Sequence, residues 1–151
     1  MQNPKEDPRN WRDLPAFAGG CQCGATRYHV AAGRAFASIC HCRMCQRASG
    51  GPFAALLEVD AARVTWDAPP GVFASSDLAE RGFCPACGTP LFYRVKGGGM
   101  VELSAGSLPP GVPFEPVVQW GIEGRMHWLD GLDLPGAETT ERGIISHQAP
   151  E

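Results

Sequence analysis

The stretch Cys40-His41-Cys42-Arg43-Met44-Cys45 places three thiols within six residues. Four more cysteines stand in two tight pairs, Cys21 with Cys23 and Cys84 with Cys87. A structural zinc site closes a tetrahedron with four protein ligands, and a working site keeps one position open. Seven cysteines divide as four plus three. The spacing therefore predicts one closed zinc built from the two outer pairs, and a second zinc held by Cys40, Cys42 and Cys45 with a free coordination position.

Chain length and composition fit that division. At 151 residues the chain suits one domain that buries roughly two thirds of its unfolded surface. Hydrophobic residues at 44% and charged residues at 19% describe a globular chain. Fourteen prolines and 19 glycines favour turns and short strands over long helices. Residues 1–10 are polar and lack the apolar stretch of a secretory signal, and no apolar run is long enough to cross a membrane. The expectation is a cytoplasmic protein, where thiols stay reduced and clustered cysteines serve metals rather than disulfides. A disulfide framework would also leave one of seven cysteines unpaired. The formal net charge is -3, and thiolate-bound zinc would make it more negative still. That balance excludes a general attraction to nucleic acid or to anionic membranes.

Patterning along the chain predicts a mainly β domain of short antiparallel strands. Residues 1–17 are expected to form a flexible arm, with Trp11, Leu14 and Phe17 as docking points if it settles on the body. Residues 18–130 are the zinc-binding domain and residues 131–151 a polar tail. Strands are predicted over residues 25–30, 35–39, 53–59, 63–66, 72–75, 91–95, 100–104 and 117–122, from β-branched and aromatic content or from alternation. A short helical turn is expected at residues 46–49, stopped by Gly50 and Gly51.

The Cys84-Pro85-Ala86-Cys87 spacing also occurs in redox proteins next to a βαβ pattern. This chain shows no βαβ pattern, and Cys21 and Cys23 are available to complete a metal site. For the triplet, His41 lies between two ligands and on an extended backbone points away from the ion they share. His147 falls in the tail, and His29 and His127 stay open as additional donors. Three thiolates give the zinc cluster a formal charge of -1, which suits a soft, exchanging thiolate better than generation of hydroxide. A thiol entering the free position would lose its proton. Arg43 and Arg47 lie close enough in sequence to offset the charge. Glu58, Asp60 and His41 are candidates for an acid or base, and none stands out.

In this order, the motifs Gly20-Cys21-Gln22-Cys23-Gly24, Cys40 to Cys45 with Arg47 and Ser49-Gly50, and Phe83-Cys84-Pro85-Ala86-Cys87-Gly88 resemble the glutathione-dependent formaldehyde-activating enzyme family, which also takes in centromere protein V. The resemblance covers residues 18–130. It implies a zinc-containing, tent-like β fold with Cys21, Cys23, Cys84 and Cys87 on a structural zinc and Cys40, Cys42 and Cys45 on a catalytic one. It implies carbon-sulfur lyase chemistry between glutathione and formaldehyde, and directs attention to Arg47 and Ser49 as substrate contacts. The competing expectations are a non-catalytic interaction module with two structural zincs, and a zinc switch that releases its metal on oxidation.

Overall fold

Alternation along residues 54–60 explains the centre of the molecule. Leu57 and Val59 turn to one side and Ala54, Leu56 and Glu58 to the other, as successive strand residues must. The computed structural model describes residues 9–138 and 143–151. Its strands are β1 (Arg12–Leu14), β2 (Phe17–Gly20), β3 (Arg27–Val30), β4 (Gly33–Cys40), β5 (Ala54–Asp60), β6 (Val64–Trp66), β7 (Gly71–Ala74), β8 (Ala79–Phe83), β9 (Pro90–Val95), β10 (Met100–Ser104) and β11 (Val118–Trp120). Among the described residues one α-helix, α1 (Arg43–Ser49), and four short 3-10 turns interrupt them. Strands take 37% of the chain and helical turns 15%, so the fold is mainly β as expected.

The large sheet runs β1-β4-β5-β10-β9-β8-β7, with β11 sharing the β1 edge of β4. The small sheet is β2-β3-β6. Leu57, Val59, Ala35, Ala37, Val101, Leu103 and Phe92 of the large sheet enclose one core with Tyr28 and Val30 of the small one. Trp66 bridges the two, its ring 5.2 Å from Tyr28 and 5.5 Å from Phe92. The buried Tyr28 hydroxyl donates to the Ser107 carbonyl at 3.1 Å, which satisfies it inside the core.

The structure adds to the sequence reading at three points. Of the stretch expected to form a flexible arm, residues 1–8 lie outside the described residues, while the later part supplies β1 and the first residue of β2; Arg12–Leu14 pairs with β4, Leu14 is buried, and Trp11 packs on Phe36 at 5.7 Å. Trp11 and Leu14, named as docking points, bury apolar area against the body. The strand β8 was hidden in the sequence by Glu80 and Arg81, two charged residues that have partners in the fold. Glu80 Oε1 accepts from Arg94 Nε at 2.6 Å. Finally, β11 runs parallel to β4 while every other strand pair among the described residues is antiparallel. A parallel pair requires a crossover, and residues 105–117 provide it.

No helix among the described residues is long and apolar enough to cross a membrane.

Leu103 is fully buried at the middle of the core. Leu103→Ala should cost about 2–5 kcal/mol in urea unfolding of the metal-loaded protein.

Candidate metal centres and active site

The outer cysteines sit on two matching turns. Cys21 N–H donates to Thr26 O and Gly24 N–H to Cys21 O; Cys84 N–H donates to Thr89 O and Gly88 N–H to Cys84 O. Both turns close on a glycine with φ of 80°, Gly24 and Gly88, a conformation that side chains disfavour. The Gln22 N–H donates to Thr89 Oγ1 at 3.0 Å and ties one turn to the other. The sulfurs then converge: Cys21 and Cys23 are 3.6 Å apart, Cys23 and Cys84 3.8 Å. Four thiolates at about 2.3 Å from a tetrahedral zinc stand about 3.8 Å from one another. The donor set and spacing fit such an ion. The Thr26 N–H points at Cys21 Sγ at 3.2 Å, a donor for a thiolate. Thr89 and the neighbouring sulfur groups push Cys87 down to about 5, while Cys23, beside Cys87, is raised to about 12.

The triplet lies where β4 passes into α1. Cys42 caps the helix, its sulfur accepting the Cys45 N–H at 3.5 Å, so the helix begins at Arg43 and not at Gln46 as the sequence suggested. Gly50 ends it in the left-handed conformation. Cys45 is buried against Ala54 and Leu56 of β5. Cys40, Cys42 and Cys45 bring their sulfurs within 4.8 Å of one another, and no other His, Cys, Asp or Glu of the described residues joins them. Each cysteine group could hold a metal ion. His41 turns away as expected: it is buried, and its Nε2 lies 2.8 Å from Gln119 Oε1 on β11. His29 pairs with Asp67 on the small sheet. Gly121, at φ 62°, lets the chain after β11 press on the triplet; a Cβ there would lie 2.8 Å from the Cys42 nitrogen.

The cation beside the triplet is one that sequence reading missed. Arg81 of β8 donates from Nη2 to Cys45 Sγ at 3.3 Å and from Nε to Ser75 Oγ at 3.0 Å, and its guanidinium lies over Tyr93 at 4.9 Å. Donation from Cys40 and then from Arg81 holds Cys45 down at about 5, and Cys40 is raised in return. Arg43 instead reaches Gln46 Oε1, and Arg47 is exposed on α1. Ser49 donates to Phe53 O at 2.9 Å and accepts from Gly51 N–H, so its hydroxyl shapes the loop after the helix.

Register extends the site across the sheet. Glu58 stands opposite Glu102, Glu102 opposite Tyr93, Tyr93 opposite Arg81, and Arg81 opposite Phe73. Residues in register project to one side, here the side that carries α1. Burial first, then the charge of Glu58 and that of Cys45, lift Glu102 from 4.5 to about 7. Arg9 Nη1 reaches Glu58 Oε1 at 3.3 Å. Asp60, the other carboxylate named from the sequence, pairs with Arg34 and Arg63 away from this row. The only sequence signal for Glu102 was its polar place in the alternation of residues 100–104.

Two cysteine clusters on a mainly β frame, one of four sulfurs and one of three beside an acid–cation row, define a class of cysteine-rich, metal-site β proteins. Comparison with known proteins narrows the class. The family model for the glutathione-dependent formaldehyde-activating enzyme matches residues 16–122, and the chain belongs to that family. A Schizosaccharomyces pombe protein described as an uncharacterized lyase is 33% identical over 85 residues, which are 56% of this chain and 62% of that protein. The chain thus matches less than two thirds of that relative's length. A crystal structure of a Rhodobacter sphaeroides protein shares the fold, with a TM-score of 0.50 at 19% identity over 68% of this chain and 98% of the other.

Cys84→Ser removes a buried sulfur from the four-cysteine group and should leave a protein with less than one bound metal per closed site and a broadened, lower thermal transition, read by metal analysis and circular dichroism. Glu102→Gln has a pH signature. Because Glu102 binds its proton more tightly when folded, the native protein loses stability as pH rises from about 4.5 to about 7. The variant should lack that loss and be the more stable of the two at pH 8 in urea titrations.

Proposed function

We propose that the protein is a zinc-dependent carbon-sulfur lyase that adds a glutathione-type thiol to formaldehyde or a related small carbonyl, or runs the reverse reaction. The observation that carries this reading is the three-sulfur group, which no fourth donor among the described residues completes, set against Arg81 and the Glu58–Glu102 pair. Family membership and the lyase description of the yeast relative support it. Cys40, Cys42 and Cys45 would hold the catalytic zinc, and Cys21, Cys23, Cys84 and Cys87 the structural one, giving two per chain.

A zinc ion on the triplet would supply an electron-poor fourth position at which an incoming thiol is deprotonated. The chain's own groups do the rest. Glu102, poised near 7, takes up a proton and returns it to the carbonyl oxygen as the carbon-sulfur bond forms. Glu58 keeps that carboxyl basic by proximity, and burial keeps competing water away. Arg81 compensates the charge of Cys45 and offers a cation toward the developing alkoxide. Holding thiol and carbonyl side by side removes the entropy of their encounter. Arg47, exposed at the helix end, is available to a carboxylate of the tripeptide, and Ser49 sets the loop at the rim of the site.

The test is exchange spectroscopy with glutathione and formaldehyde on the zinc-loaded protein. The protein should speed exchange between free thiol and S-(hydroxymethyl) adduct. Cys42→Ser should abolish that effect while the four-cysteine metal and the fold persist; unchanged exchange in the variant would remove the triplet from the reaction.

A further inference from the structure

A groove of about 450 Å³ opens beside the three-sulfur group, within the size range of small-molecule sites, roughly 300–1,000 Å³. Its walls include Ala48, Leu56, Phe73 and Phe83, with Arg81 the one charged residue among the described residues that line it. Ala48 and Ser49 follow Cys45 by three and four residues, so helix geometry sets all three on one face of α1. Leu56, which packs on Cys45, continues into the groove wall. Arg81 belongs to both: it lines the groove and bonds the Cys45 sulfur. Arg81 and Leu56 therefore border both the groove and the cluster, although none of the three cysteines lines the groove itself.

Its chemistry does not match either partner of the family reaction. Formaldehyde has two heavy atoms and would leave nearly all of this volume empty. A glutathione-type thiol carries two carboxylates and an ammonium, and the groove offers a single cation and no acidic side chain among the described residues that line it. Phe73 nevertheless stands 64% exposed at the groove and Val72 47%, apolar area held in water next to a reactive centre.

We infer that this groove is a subsite for the apolar substituent of the carbonyl partner, so that the acceptor is an aryl or medium-chain alkyl aldehyde and not formaldehyde alone. The inference rests on the thiol-addition reading above. The step balances without a further reactant: the thiol sulfur bonds to the carbonyl carbon, the carbon–oxygen π bond breaks, and the proton leaving sulfur ends on oxygen as a hemithioacetal hydroxyl. The ring or chain lies between Phe73 and Leu56, and the carbonyl faces Arg81 at the end of the groove nearest Cys45.

Two measurements on the zinc-loaded protein decide it. Benzyl alcohol, an unreactive stand-in, is titrated into the isotopically labelled protein; amide shifts are expected at Ala48, Gly82 and Phe83, with affinity about tenfold weaker in Phe73→Ser, a change at an exposed position. Exchange rates with glutathione are then compared for benzaldehyde and formaldehyde. The wild-type kcat/KM should favour benzaldehyde, and Phe73→Ser should lower the benzaldehyde-to-formaldehyde ratio about tenfold. Formaldehyde exchange with no benzyl alcohol shifts in the groove, or a ratio unaltered by Phe73→Ser, overturns the subsite and leaves the thiol-addition reading standing. Exchange of neither aldehyde overturns the thiol-addition reading, and the carbonyl assignment of the groove with it.

Discussion

Crowding of sulfur is the constraint on which this structure turns. The Cys23 sulfur stands 3.6 Å from that of Cys21 and 3.8 Å from that of Cys84, a spacing at which ionised thiols repel strongly. Hydrogen bonds from Thr89, with help from Cys23, hold Cys87 down at about 5, while the neighbouring Cys87 thiol and burial push Cys23 up to about 12. A dication held there would remove the repulsion outright. Cys21 follows β2 of the small sheet and Cys84 follows β8 of the large one, so such an ion would tie together the two sheets that Trp66 and Phe92 join within the core.

The second cluster obeys the same electrostatics with a different outcome. Three sulfurs gather at the start of α1, and the charge they concentrate is met by Arg81 from a strand four places away in the sheet. That meeting depends on register. A shift of one residue in β8 or β10 would turn Arg81 or Glu102 into the core and bring Gly82 or Leu103 to the site face. The β-bulge between Gly82 and Phe83 comes just after Arg81, so the irregular part of the strand lies beyond the functional row. Core packing by Leu57, Leu103 and Phe92 on one face thus fixes the acid–cation row on the other.

Much of this was legible in the residues. The cysteine spacing foretold both groups of sulfurs, because ligand spacing is a local property of the chain. Strands with an apolar face, such as β5 and β10, were found for the same reason. What stayed hidden was long-range. Nothing near Arg81 in sequence announces Cys45, and Arg43 and Arg47 looked better placed only because they were neighbours along the chain. Glu102 resembled any solvent-facing strand residue until its register partner proved to be Glu58. The same holds for β1: three residues of mixed polarity carry almost no signal, and pairing with β4 gives them their place.

The parallel strand β11 adds a temporal consequence. During synthesis the chain leaves the ribosome from its first residue onward, so Cys40, Cys42 and Cys45 emerge long before Gln119, which steadies His41, and Gly121, which rests on Cys42. Assembly would therefore be staggered: both sulfur groups have all their donors once Cys87 has emerged, while the three-sulfur group gains its backing only after Gly121 has followed.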